Sequence, residues 1–359
     1  MRAKRRIAAL LICFCCLAIP PAIAGEPKLE KLGSTYDLAQ VASWLTRDRF
    51  AIGRWDGTIT VFRPPITGKN EFGPILTQAL RSPSSQGIQM MARLGKTGFV
   101  TSNDDSSLAV WTENGGEFAL KGTANYDPKF GVANSAAVLR AQGKSWLVTG
   151  HAQGFLLLWE INGSDITFNK DVSIRSNNPI PSKYPMWNVR SVVRYKDGLV
   201  VTGSEDGDIC IVEVPACKTL ARTRYSPTAQ RGINNLSLAG DYLLLANCSV
   251  GRGDKNLWLY KLQRDQVTPL DSTNLVKESS RQQVFDFSVA LVPLGNDTFF
   301  FASTEEGLLW RGQVSGETLT VNGNEKVECE GGATLTYEPE NSQLAVTEHT
   351  VNLYKVTAK

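Results

Sequence analysis

One pattern returns seven times along the 359 residues: an apolar strand, a short turn of Gly, Asp, Asn, Ser or Glu, and a second apolar strand that usually ends in an aromatic residue. The copies are RFAIGRWDGTITVF ending at Phe62, GFVTSNDDSSLAVW at Trp111, SWLVTGHAQGFLLLW at Trp159, GLVVTGSEDGDICIV at Val212, YLLLANCSVGRGDKNLWLY at Tyr260, TFFFASTEEGLLWR at Arg311 and QLAVTEHTVNLY at Tyr354. Successive ends lie 49, 48, 53, 48, 51 and 43 residues apart. Two unrelated domains, the ordinary expectation at this length, would not keep such a period.

Between the copies the sequence supplies two further strands per repeat. An outer one follows the aromatic, as in EFALKGTANY and CKTLARTRY, and an inner one precedes the next copy, as in WNVRSVVRY and VFDFSVALV. Runs of Val, Ile, Leu, Phe and Thr bounded by Gly, Asn, Asp and Pro are strand signals, and no stretch has a helical period with caps. Four short antiparallel strands repeated seven times predict an all-β, seven-bladed β-propeller over residues 25–359. The last repeat lacks an outer strand, whereas Pro27–Gly33 precedes the first inner strand, Leu38–Leu45, as a spare. Pairing that spare strand into blade seven would close the ring and cover two sheet edges.

The turns resemble those of the WD-repeat family, SEDGDICIV and RWDGTITVF being nearest to its Asp-Gly turn and following strand. Phe62, Trp111, Trp159, Tyr260 and Tyr354 keep an aromatic at the repeat end, whereas Val212 and Arg311 do not. Gly150-His151 stands in a different turn from the family's Gly-His pair, and Trp55-Asp56 lies in a turn inside a repeat. The resemblance implies a face that gathers the turns between second and third strands with the connections between blades, and on which ligands are met.

The first 24 residues read as an export signal: Arg2, Lys4, Arg5 and Arg6, an apolar run from Ile7 to Ile19, and Ala22-Ile23-Ala24 before Gly25. Its compact form points to a bacterial periplasm, with an extracellular or signal-anchored protein as the alternative. No later stretch is long and apolar enough to be predicted as a membrane span. The signal carries four of the 38 basic residues, so the net charge of +3 becomes 34 cations against 35 acids. A nucleic-acid partner is therefore not expected. Four cysteines remain, Cys210, Cys217, Cys248 and Cys329; free buried thiols are the favoured reading, with Cys210–Cys248 the pairing to test.

On the loop face, the connections between blades supply the residue types enriched at protein interfaces, and the predicted partner-binding set is Tyr126, Tyr184, Trp187, Tyr225, Arg231 and Arg281. Trp187 ends the proline-stiffened segment NNPIPSKYPMW, which is either a preorganised binding feature or a lid over the junction of blades three and four. The turns supply carboxylates, so the alternative site is an axial funnel holding Asp56, Asp105 and Asp206 with His151. No turn has calcium-loop spacing, and no phosphate loop, dinucleotide fingerprint, serine elbow or zinc helix is present. The sequence thus predicts a monomeric ring without metal or cofactor that binds a protein or peptide partner. The alternative is a propeller enzyme or a binder of small ligands or cations.

Overall fold

The computed structural model describes residues 26–65, 75–84, 86–96, 98–163, 165–180, 186–229, 231–247, 255–275, 288–327 and 334–358. The predicted export signal lies outside the described residues. Among the described residues, twenty-eight strands form seven four-stranded antiparallel sheets, each running from an inner strand at the axis to an outer one at the circumference. Strand β1 (Pro27–Tyr36) comes first in the chain. Blade one is β2 (Val41–Thr46), β3 (Arg49–Gly53), β4 (Thr58–Arg63) and β5 (Ile75–Arg81); blade two is β6 (Ile88–Leu94), β7 (Gly98–Asn103), β8 (Ser107–Asn114) and β9 (Glu117–Asn125). Blade three is β10 (Ala133–Ala141), β11 (Lys144–His151), β12 (Phe155–Asn162) and β13 (Asp165–Ser173); blade four is β14 (Val189–Lys196), β15 (Leu199–Ser204), β16 (Asp208–Glu213) and β17 (Lys218–Arg224). Blade five is β18 (Ile233–Ala239), β19 (Tyr242–Asn247), β20 (Leu257–Gln263) and β21 (Gln266–Thr273); blade six is β22 (Ser288–Leu294), β23 (Asp297–Thr304), β24 (Leu308–Ser315) and β25 (Thr318–Lys326). Blade seven is β26 (Thr334–Glu338), β27 (Gln343–Thr347) and β28 (Thr350–Ala358), completed by β1.

The strand patterns follow from the layering. Second strands are covered by both neighbouring blades and read as continuous apolar runs; every residue of Leu199–Ser204 and of Gln343–Thr347 is buried. Outer strands have one wet face and alternate, as Thr318–Lys326 does. The core is accordingly seven separate apolar clusters, each shared by two adjacent blades. One of them joins Trp44, Phe50 and Phe62 of blade one to Ala345, Val351 and Leu353 of blade seven, so the ring has no unfilled junction.

Closure occurs as the sequence predicts, through a strand slightly longer than expected: β1 pairs antiparallel with β28 from Pro27↔Ala358 to Tyr36↔Thr350. The inner strands, which are sheet edges, are satisfied by side chains from the preceding blade. Ser135 Oγ donates to Val189 O at 2.8 Å, and Ser191 Oγ accepts from Leu236 N at 3.2 Å. Ser237 Oγ accepts from Leu291 N at 2.8 Å, and Ser288 Oγ from Leu335 N at 3.0 Å. This relay explains why serine recurs on inner strands that otherwise look apolar.

Every blade carries a β-bulge at one place, in the outer strand opposite the repeat-end residue. The register shifts lie before Phe62, Trp111, Trp159, Val212, Tyr260 and Gly312, and in blade seven beside Tyr354. The repeat-end residue of blade six is therefore Gly312, one place beyond Arg311. Gly312 lies opposite Phe300, and a Cβ added to it would overlap both the Phe300 ring and the Thr320 carbonyl. The aromatic missing from the repeat end is thus supplied from the neighbouring strand.

Cys210 and Cys217 are free thiols. Cys210 packs among Val148, Leu156 and Val192, on the side of blade four that faces blade three. A bridge to blade five would require the opposite side, because alternate residues of a strand face opposite ways. Cys248 and Cys329 lie outside the described residues.

Candidate interaction face

The turns between second and third strands and the connections between blades lie together at one end of the ring, as the resemblance implies. On this face the proposed funnel acids hold turns. Asp56 accepts from Thr58 N at 2.9 Å, a contact that keeps its carboxyl below the usual range; Asp105 accepts from Ser107 N at 3.1 Å. Asp206 is buried and accepts from Ser204 Oγ, from Ser176 N at 2.8 Å and from Asp208 N at 3.2 Å, while burial raises its carboxyl above the usual range. Each acid serves the turn of its own blade, so these three do not converge on one funnel site. Among the described residues no group of three His, Cys, Asp or Glu side chains is placed to hold a metal ion.

His151 is fully buried and belongs to the interior rather than to the funnel. Trp159 Nε1 donates to Thr149 Oγ1 at 3.1 Å, Thr149 Oγ1 bonds His151 Nε2 at 2.8 Å, and His151 Nδ1 donates to Gly131 O at 2.9 Å. The carbonyl at Nδ1 fixes the proton there and leaves Nε2 as acceptor. Blade two has the same first link, Trp111 Nε1 to Thr101 Oγ1 at 3.1 Å. In both blades threonine stands ten residues before tryptophan, a spacing visible in the sequence.

Burial lowers the His151 pKa from 6.5 to about 4. The unfolded chain therefore binds a proton in this window that the folded chain does not. The contribution is intact above pH 6.5 and is lost as the pH falls toward 4, up to about 3 kcal/mol. Asp206 acts in the opposite sense, so the imidazole itself is the better reporter. Its NMR resonances should not move between about pH 8 and about pH 5; titration near 6.5 would contradict this burial.

Tyr126 and Tyr225, predicted as contact residues, are buried instead. Tyr126 accepts from Ala133 N at 3.2 Å, packs edge-on against His151 at 4.7 Å and has its hydroxyl pKa pushed up to about 12 by burial. Tyr225 donates to Arg231 O at 2.8 Å and gives its own carbonyl to Tyr260. These connections pass directly over the cores between blades, which draws their tyrosines inward. Arg231 is exposed, whereas Tyr184 and Arg281 lie outside the described residues.

Trp187 is half-buried at the end of a cation–aromatic ladder. Lys129 Nζ lies 4.8 Å from the Phe130 ring, Phe130 is 5.1 Å from Phe155, and the Arg175 guanidinium is 4.9 Å from Phe155 and 4.3 Å from Trp187. Gly154 makes the stack possible: its φ is +74°, and a Cβ would come within 2.7 Å of Arg175 Cγ and 2.8 Å of Trp187 Cβ. The segment before Trp187 is fastened to blade four. Ser176 N bonds Asp206, Arg224 donates to Asn178 O, and Arg222 donates to Ile174 O at 3.1 Å and to Asp208 at 2.9 Å. The connection is thus a lid over blade four through Ile180, which is buried, while Met186 beside Trp187 remains 49% exposed.

Three other residues on this face stand outside the predicted site sets. Tyr36 is 77%, Trp55 70% and Leu38 48% exposed. Trp55 was available as a signal, since a tryptophan in a polar two-strand turn has no core to enter.

No protein-family model matches the chain, and no curated protein matches it. Many solved structures share its fold. One is the Myceliophteria thermophila Cps50 (Swd1) β-propeller domain, with a TM-score of 0.63, 14% identity, and coverage of 92% of this chain and 100% of that one. At this identity the likeness establishes the propeller fold.

Proposed function

We propose that this protein is an exported, non-catalytic propeller scaffold that binds a protein or peptide partner through its loop face, at the rim of blades three to five. The observation that carries the reading is the Lys129–Phe130–Phe155–Arg175–Trp187 ladder, which presents a held aromatic beside exposed Met186. A surface fixed before association loses little side-chain entropy in binding, and Trp and Arg are the usual interface anchors. Export to the periplasm is supported by the basic, apolar and Ala-Ile-Ala parts of the leader. The propeller fold, common among interaction domains, is consistent with this role.

Photo-crosslinking tests the reading. With the reactive group placed in turn at Met186, Arg231 and Lys121, periplasmic protein should be trapped from the first two positions and not from Lys121, on the outer strand of blade two. Equal trapping from all three, or from Lys121 alone, would refute a loop-face site.

A further inference from the structure

Arg175 occupies the middle of the ladder and is held on three sides. Its guanidinium lies 4.9 Å from the Phe155 ring and 4.3 Å from the Trp187 ring, and its Nε donates to Gln153 O at 2.7 Å. These contacts fix the plane of the fork and leave its two terminal nitrogens without a bond to any described residue. The acids around it are already engaged. Asp127 pairs with Lys129, Glu205 with Arg190, and Asp208 with both Arg222 and Arg224. Asp206 is buried and accepts from Ser204 and from two backbone amides. Among the described residues no carboxylate lies within ion-pairing distance of Arg175.

A guanidinium stacked between two rings is partly stripped of water, and its fork is set before anything binds. That arrangement suits planar, two-point recognition of a carboxylate. We propose that Arg175 is the anion-recognition point of the rim, and that the partner's segment carries a carboxylate next to an apolar residue that covers Met186 and Trp187. Met186 adjoins Trp187 in the chain and is 49% exposed, so the apolar contact and the charged one share a single stretch of surface. One unmatched guanidinium balances one carboxylate. A phosphate group, with nearly two charges, would call for a second free cation, and Lys129 and Arg190 have acids of their own. A segment carrying lysine or arginine at this point would meet like charge. The proposal rests on the loop-face reading and names the chemistry of its partner.

The test uses the whole protein and four fluorescent, amidated octapeptides of leucine, proline and glycine that differ only in one central residue: glutamate, glutamine, lysine or phosphoserine. The glutamate peptide should bind saturably, and at least about tenfold more tightly than the glutamine peptide. Arg175→Lys keeps the charge but not the stacked fork, and should weaken the glutamate peptide about tenfold, with cooperative thermal unfolding showing that the variant is folded. A glutamine peptide with a free carboxyl end that matches the glutamate peptide would support the proposal and place the carboxylate at a chain end. Equal binding of the glutamate and lysine peptides, tighter binding of the phosphoserine peptide, no saturable binding of the glutamate peptide, or no effect of Arg175→Lys would overturn it. Crosslinks from Met186 report separately: if they form while the glutamate and glutamine peptides bind alike, the carboxylate is refuted and the loop-face site stands.

Discussion

Deletion of Glu26–Gly33 should abolish the cooperative unfolding of the whole ring rather than loosen one blade. The segment supplies most of the pairing between β1 and β28, and its Leu29 and Leu32 pack against the clusters on either side of blade seven. Without it, β28 becomes an edge strand whose Val351, Leu353 and Val356 are now buried, and the junction of blades seven and one loses part of its cover. A loss of more than about 4 kcal/mol is expected, a large fraction of the stability of an ordinary domain. Urea unfolding of the deleted chain measures it, and a peptide of residues 26–36 added in excess should restore part of the transition. An unchanged midpoint would mean that the ring is held shut by the packing of blade one on blade seven without β1.

The second large effect is expected at a residue that is small. Replacing Gly312 with tyrosine, which restores an aromatic to the repeat end, should destabilise the protein by about 3 kcal/mol or more, because the position is already filled by Phe300 and closed by Thr320 O. Blades five and seven show one compatible combination, with Leu243 opposite Tyr260 and Leu344 opposite Tyr354, whereas blades one and two fit Phe50 opposite Phe62 and Phe99 stacked on Trp111. Phe300→Leu combined with Gly312→Tyr should therefore be more stable than Gly312→Tyr alone, a favourable coupling that a double-mutant cycle in thermal unfolding reads directly. Additive losses would show that Phe300 is not what excludes a side chain at Gly312.

Blade count, strand order and closure were legible in the sequence because they depend on spacing and on an unpaired strand at each end of the ring. The bulge was not. It moves the blade-six repeat end from Arg311 to Gly312, and neither residue is aromatic, so nothing in the local pattern marks the shift. His151 was misplaced for a related reason: its partners are Thr149 and the distant Gly131 carbonyl, Thr149 is itself bonded by Trp159 from the next strand, and only the strand pairing shows that the imidazole closes a buried chain of hydrogen bonds. The turn acids looked like a funnel because composition counts charges without their partners. Asp56, Asp105 and Asp206 are each committed to amides two residues onward. Tyr126 and Tyr225 looked like surface anchors because connections usually run over the exterior, yet between blades the exterior of the chain is the top of a core.

The central proposal is that this propeller binds a partner through its loop face, and paired capture from periplasmic extract, the proposed compartment, tests it most directly. Trp187→Ala with Arg231→Ala removes the proposed anchors of the rim, whereas Leu120→Ser with Phe168→Ser removes exposed apolar groups from the circumference. A partner that engages the loop face should be recovered by the circumference variant as well as by the unaltered protein, and at least about tenfold less by the rim variant. Undiminished recovery by the rim variant, with loss in the circumference variant, would place the working surface on the outer strands and contradict the loop-face assignment.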